Sequence, residues 1–119
     1  MKLVYVAGPY RAKTEWELEE NIRRAEALAL DLWREGIAVI CPHKNTAHFG
    51  GAADDGAWLL GDLEMMRRCD AVVVTSHFEG STGTLAEIQD AGSRGIPVVY
   101  RDDEHWWEKL SNALYYGTS

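Results

Sequence analysis

A chain of 119 residues and 13.3 kDa fits one domain over residues 1–119, and its 46% hydrophobic content is ample for a single buried core. A formal charge of -7 and a pI near 5.0 argue against a general nucleic-acid or anionic-membrane binder, because such partners recruit clustered Lys and Arg. No stretch approaches the roughly 20 apolar residues of a membrane span, and the opening apolar run is too short for a signal sequence, so a cytoplasmic protein is expected.

Taken in chain order, Lys2 to Ala7 is a short β-branched run closed by Gly8-Pro9, which predicts a buried first strand. From Thr14 to Glu35 the apolar residues Trp16, Leu18, Ile22, Ala25, Leu28, Ala29, Leu32 and Trp33 recur at helical spacing. Thr14 with Glu17 makes a capping-box pattern, and Gly36 stops the helix. Ile37 to Cys41 reads as a second buried strand, ended by Pro42. His43 to Asp55 lacks periodicity and is expected to be a long loop over the strand ends. Ala57 to Arg68 returns to helical spacing and Ala71 to Thr75 is the clearest central strand. A loop over Ser76 to Thr82 then leads into a helix from about Gly83 to Arg94, a fourth strand follows at Ile96 to Tyr100, and Glu104 to Tyr115 forms a closing helix.

Strands alternating with helices predict an α/β three-layer sandwich, flavodoxin-like or Rossmann-like, with a parallel sheet of four or five strands and helices on both faces. In such sheets ligands bind outside the carboxyl ends of the strands. That rule nominates Gly8-Pro9-Tyr10-Arg11, the segment from His43 to Asp55, and the segment from Ser76 to Glu87.

Within the last segment, Gly80-Ser81-Thr82-Gly83-Thr84 joins a strand to a helix. It is either a small-residue turn with Ser or Thr capping the helix, or a cradle that holds a phosphate or carboxylate at the positive helix end. No Gly-Lys-Ser/Thr follows, so it is not a Walker loop. Glu87, about one turn into that helix, can face whatever the loop binds. Asp62 is expected near the start of its helix, either as a cap or surface charge or as a second acid at the strand ends. Tyr5 is either a core aromatic with its hydroxyl satisfied or part of the site, and Arg11 either a solvated loop residue or the cation that clamps a phosphate. His43, His48 and His77 with Asp54 and Asp55 lack metal-ligand spacing, so no metal and no cofactor is expected. Cys41 and Cys69 show no CxxC spacing and read as reduced thiols, and Trp106-Trp107 read as packing or subunit-contact residues.

The pattern of Tyr5-Val6-Ala7-Gly8-Pro9-Tyr10, Asp62 eight residues before Asp70, and Gly83-Thr84-Leu85-Ala86-Glu87 resembles the nucleoside 2-deoxyribosyltransferase superfamily over about residues 3 to 100. The likeness is greatest to its small uncharacterised bacterial and phage branch. The resemblance implies that Glu87 is a nucleophile attacking the anomeric carbon, that Tyr5 orients it, and that Asp62 contacts or protonates the departing base. It further implies an N-glycosidase, with base exchange as the alternative, acting on a small nucleoside or nucleotide in a homo-oligomer whose neighbouring subunit often completes the pocket. In the transferases an Asp six residues before the nucleophile is associated with nucleoside recognition. Ser81 stands there in this sequence, and with Arg11 it is similar to the nucleoside 5'-monophosphate N-hydrolases, where both positions serve the phosphate. Gly8, Pro9 and Gly83 would complete the substrate-binding set. A non-catalytic nucleotide-binding module on the same fold is the reading from a different class.

Overall fold

The computed structural model describes residues 1–47 and 49–116. Its sheet has four parallel strands, β1 (Leu3–Ala7), β2 (Ala38–Ile40), β3 (Ala71–Val74) and β4 (Val98–Tyr100), in the order β2-β1-β3-β4. Tyr5 lies opposite Ile40 on one side and Val72 on the other, and Val74 lies opposite Tyr100. The three-layer α/β sandwich expected from the alternation is therefore present, with four strands.

Helix α1 (Glu15–Arg34) begins where the sequence requires it to, since the Thr14 side chain accepts from the Glu17 N–H at 3.1 Å. Its end is set by Gly36, whose φ of 79° lies in the left-handed region that reverses the chain into β2. One stripe of α1, built from Ile22, Ala25, Leu28, Ala29 and Leu32, packs on Val4, Val6 and Val73. The last helix, α5 (Trp106–Ser111), packs on the same face through Leu110, and its C-terminal continuation over Asn112–Tyr116 widens into a π-helical turn. The closing helix is thus regular for only half its expected length. Trp106 and Trp107 are packing residues, half-buried against that core, with the Arg101 guanidinium 4.5 Å from the Trp106 ring centre.

The opposite face carries α3 (Asp55–Met66) and α4 (Thr82–Ser93), which cover Tyr5, Ala7, Val72 and Val74 with Leu63, Met66, Ile88 and Ala91. Successive residues of β1 therefore serve different cores, as a pleated strand demands. The segment after β2 departs from expectation. Instead of an irregular loop from His43, it starts with a one-turn helix, α2 (Pro42–Asn45), opened by a proline at its first position.

The chain leaves β1 toward β2 and leaves β2 and β3 in the other direction, so the order reverses between β1 and β3. There the strand ends are nearly fused. Thr75 N–H donates to the Ala7 carbonyl at 2.9 Å, and a Cβ on Gly8 would stand 2.0 Å from Thr75 Oγ1. Only glycine fits at position 8, and beyond it the two loops diverge to open a cleft.

Candidate active site at the carboxyl ends of β1 and β3

The cleft has a volume of about 1490 Å³ and is bordered by all three nominated segments together with the inner flank of α1 and α3. Tyr5, Gly8, Pro9, Arg11, Asp62, Ser81, Gly83 and Glu87 all line it.

Glu87 sits one and a half turns into α4 and is directed inward, only 8% exposed. Tyr5, fully buried on β1, donates its hydroxyl to Glu87 Oε2 across 82 residues of sequence. Burial raises the Glu87 carboxyl from 4.5 to about 7, the hydrogen bond from Tyr5 pulls it back, and the Asp62 charge adds to the rise. The Tyr5 phenol is itself held far above its ordinary value, chiefly by burial and then by the Glu87 charge, so it remains a donor. Asp62, half-buried, is pushed up to about 6 by desolvation. Its position corrects the sequence reading: it lies in the second half of α3 rather than near the start, and the helix is capped instead by Asp54, whose side chain accepts from Gly56 N–H. Two carboxyl groups with raised pKa values and a phenol donor thus converge on one opening, a grouping suited to general acid-base or nucleophilic work.

The turn before α4 has both features that the sequence left open. Ser81 is its N-cap: Oγ accepts from Thr84 N–H at 3.2 Å and lies 2.8 Å from Thr84 Oγ1. The hydroxyl is therefore already engaged, while the first-turn N–H groups of Thr82 and Gly83 have no intrahelical carbonyl to reach and can serve an anion. Arg11 is exposed on the facing loop at the cleft rim.

Two residues hold this loop: Asn21, which nothing in the sequence reading singled out, and His43, which the sequence left between lining a substrate loop and simple exposure. Buried Asn21 on α1 donates from Nδ2 to the Tyr10 carbonyl at 3.1 Å. His43 on α2, also buried, bonds through Nε2 to the Pro9 carbonyl at 2.9 Å and packs edge-on against Tyr10. A polar residue on the apolar stripe of α1 was the one available signal for Asn21. His77 is exposed beyond β3 with a φ of 62°. Among the described residues no three His, Cys, Asp or Glu side chains are grouped to hold a metal. His48 and the Asp55 side chain lie outside the described residues.

Residues 2–101 match the family model described as Domain of unknown function (DUF7768). No curated protein sequence matches. Among solved structures, a 2-deoxyribosyltransferase from Bacillus psychrosaccharolyticus is similar with a TM-score of 0.61 at 22% identity, covering 82% of this chain and 70% of that one. A conserved protein from Enterococcus faecalis V583 gives 0.66 at 24% identity over 94% and 74% of the two chains. The 2-desoxiribosyltransferase from Leishmania mexicana gives 0.63 at 18%, over 84% of this chain and 63% of its own length. At these identities the likeness is one of fold, and the fold is that of the 2-deoxyribosyltransferases.

Proposed function

The chain belongs to the DUF7768 family, and from that premise we propose that it is an N-glycosidase, hydrolysing the bond between base and sugar in a nucleoside 5'-monophosphate or nucleoside. The observation that carries the proposal is the buried Glu87 carboxylate held by the Tyr5 hydroxyl at the floor of an open cleft. In its ionised form Glu87 attacks C1' of the sugar as the bond to the base breaks. Asp62, with its pKa raised to about 6, supplies a proton to the departing base. Water, giving its proton to the Asp62 carboxylate, then attacks C1' and cleaves the glycosyl ester, which regenerates the Glu87 carboxylate and protonated Asp62 and releases the sugar or sugar phosphate. Tyr5 keeps Glu87 aimed and favours its ionised form. The substrate is a small cytoplasmic metabolite and the working form a homo-oligomer.

Preference for a phosphorylated sugar rests on the first-turn N–H groups of Thr82 and Gly83, which have no carbonyl within the helix, with Arg11 at the facing rim. The Ser81 hydroxyl contributes by shaping the turn as much as by direct contact. Base exchange is the second reading, favoured by the fold shared with two structures named as deoxyribosyltransferases.

Incubation with a panel of nucleosides and 5'-monophosphates, read as free base by chromatography, tests the proposal. Base release is expected from at least one member, and Glu87→Ala should lower it by at least ~10³-fold while nucleotide binding persists. No release across the panel, or an unchanged rate in Glu87→Ala, rejects it. A second free base added to the mixture distinguishes exchange from hydrolysis. Ser81→Asp keeps a good helix cap but sets a carboxylate where a phosphate would sit. It should lose monophosphates selectively, and an equal loss on nucleosides would reject the phosphate assignment.

A further inference from the structure

Helix α1 buries one stripe and turns the opposite one outward, and that outer stripe is not the usual solvated face. Trp16 is 76% exposed, Trp33 53% and Leu30 47%. Single exposed apolar residues need no explanation, but these stand in order. Trp16, Arg23 and Leu30 form one row at seven-residue spacing, and Glu19, Glu26 and Trp33 form a second row beside it. Two such rows have the spacing of a helix-packing seam, with Trp16, Leu30 and Trp33 as its apolar members and Glu19, Arg23 and Glu26 as charged ones between them.

The seam is complementary to itself. A second copy turned about a two-fold axis midway between residues 24 and 25 brings Trp16 against the partner's Trp33, Arg23 against the partner's Glu26, and Glu15 against the partner's Arg34. Each contact occurs twice, as a two-fold interface requires. Leu30 then meets the partner's Glu19, whose methylenes can cover it while its carboxylate stays with Arg23 of its own chain, as at 3.1 Å in the single copy. The local charge fits as well. Glu15, Glu19 and Glu26 are offset by Arg23 and Arg34, which leaves the strip near neutral on a chain that carries -7 overall. A parallel arrangement would instead set Glu on Glu and Arg on Arg.

We propose that the outer face of α1 is the contact between two copies of this chain, packed antiparallel with the tryptophans of each helix covering those of the other. The cleft is bordered by Glu17, Glu20, Asn21 and Arg24 on another flank of α1, so it remains open in this dimer. The proposal does not depend on the catalytic reading, and its readout is mass rather than turnover.

Sedimentation equilibrium of the full chain from low micromolar to high micromolar concentration tests it, with circular dichroism confirming that each variant is folded. A dimer is expected. Trp16→Glu and Trp33→Glu should abolish it, and Arg23→Glu should weaken it at least ~10-fold by facing two carboxylates at two symmetric points. The double charge swap, Arg23→Glu with Glu26→Arg, should restore it to within a few-fold. A monomer over the whole range overturns the proposal, as does a dimer indifferent to Arg23→Glu and Trp16→Glu. Failure of the swap to restore association overturns the antiparallel pairing. Should a tryptophan variant unfold, the Arg23 and Glu26 arm decides alone, with Lys44→Glu added to the swap so that the Glu26→Arg side chain keeps an opposite charge beside it, because Arg23 is largely exposed and Glu26 is half-buried outside the core.

Discussion

The two faces of the sheet put the same strands to different use. Toward α1 and α5 the pleat presents Val4, Val6, Ala71, Val73 and Val99, packed on the apolar stripe of those helices, with Asn21 buried at the edge of that stripe. Toward α3 and α4 it presents Tyr5, Ala7, Val72 and Val74, and into this second layer projects Glu87, with Asp62 nearby. The first face gains stability from the apolar side chains that it buries. The other spends some of it to hold a carboxyl out of water, the pattern expected where geometry is kept for chemistry.

The contrast is broken most severely from the apolar side. Leu32→Ala, at a fully buried position on α1, should cost about 2 to 5 kcal/mol in denaturant unfolding while leaving the cleft lining intact. From the polar side the sign reverses. Because the folded-state value of Glu87 is raised from 4.5 to about 7, its stabilising contribution is present below pH 4.5 and lost as pH rises through 7. Glu87→Gln should therefore be more stable than the parent at pH 8, by up to about 3 kcal/mol at ~1.4 kcal/mol per pH unit, and equal to it at pH 4. A destabilised Gln variant at pH 8 would contradict the desolvation account.

A smaller effect separates the two roles of the turn before α4. Ser81→Ala removes the cap and should cost ~1 kcal/mol, whereas Ser81→Asp should cost little, both read as shifts in thermal midpoint. The smallest expected effect is in pH dependence. Base release needs ionised Glu87 with protonated Asp62, and because Glu87 at about 7 lies above Asp62 at about 6, this minority form should give a bell with its acid limb near 6 and its alkaline limb near 7. Asp62→Asn should erase the alkaline limb and move the acid limb up from about 6 toward the Glu87 value, by somewhat less than the full step because a charge that raises Glu87 is gone. An unaltered bell would remove Asp62 from the proton inventory.

Much of this architecture was legible beforehand, for reasons that differ by residue. The Thr14 cap, the α1 stripe and the strand runs at Val4 and Val72 are local patterns whose period matches the element they form. Ser81 was legible as a cap, and the likeness to a known superfamily nominated Tyr5, Asp62 and Glu87 together. The fold brings these three to one cleft and joins Tyr5 to Glu87. What local pattern could not yield is contact across the chain. The bonds from Asn21 and His43 to the loop after β1 join residues 11 and 34 positions apart. Neither residue type is diagnostic at its place. Helix α2 is too short to show a period, and Asp62 was misplaced along α3, since it stands more than a turn inside the helix whether that helix is counted from Ala57 or from Asp55.

His43 has a consequence of another kind. The Pro9 carbonyl can only accept, so Nε2 carries the ring hydrogen and Nδ1 carries the lone pair, buried with no hydrogen-bond partner among the described residues. Burial pushes its pKa below the ordinary 6.5, and the two loop carbonyls of Pro9 and Gly8 only partly counter this. One nitrogen is therefore occupied and the other sealed, so acylating reagents that modify the exposed His77 and His105 rings should pass His43 by. The order in which the histidines are labelled then becomes a clock for the loop after β1, since His43 becomes reactive only when that loop lets go of α2.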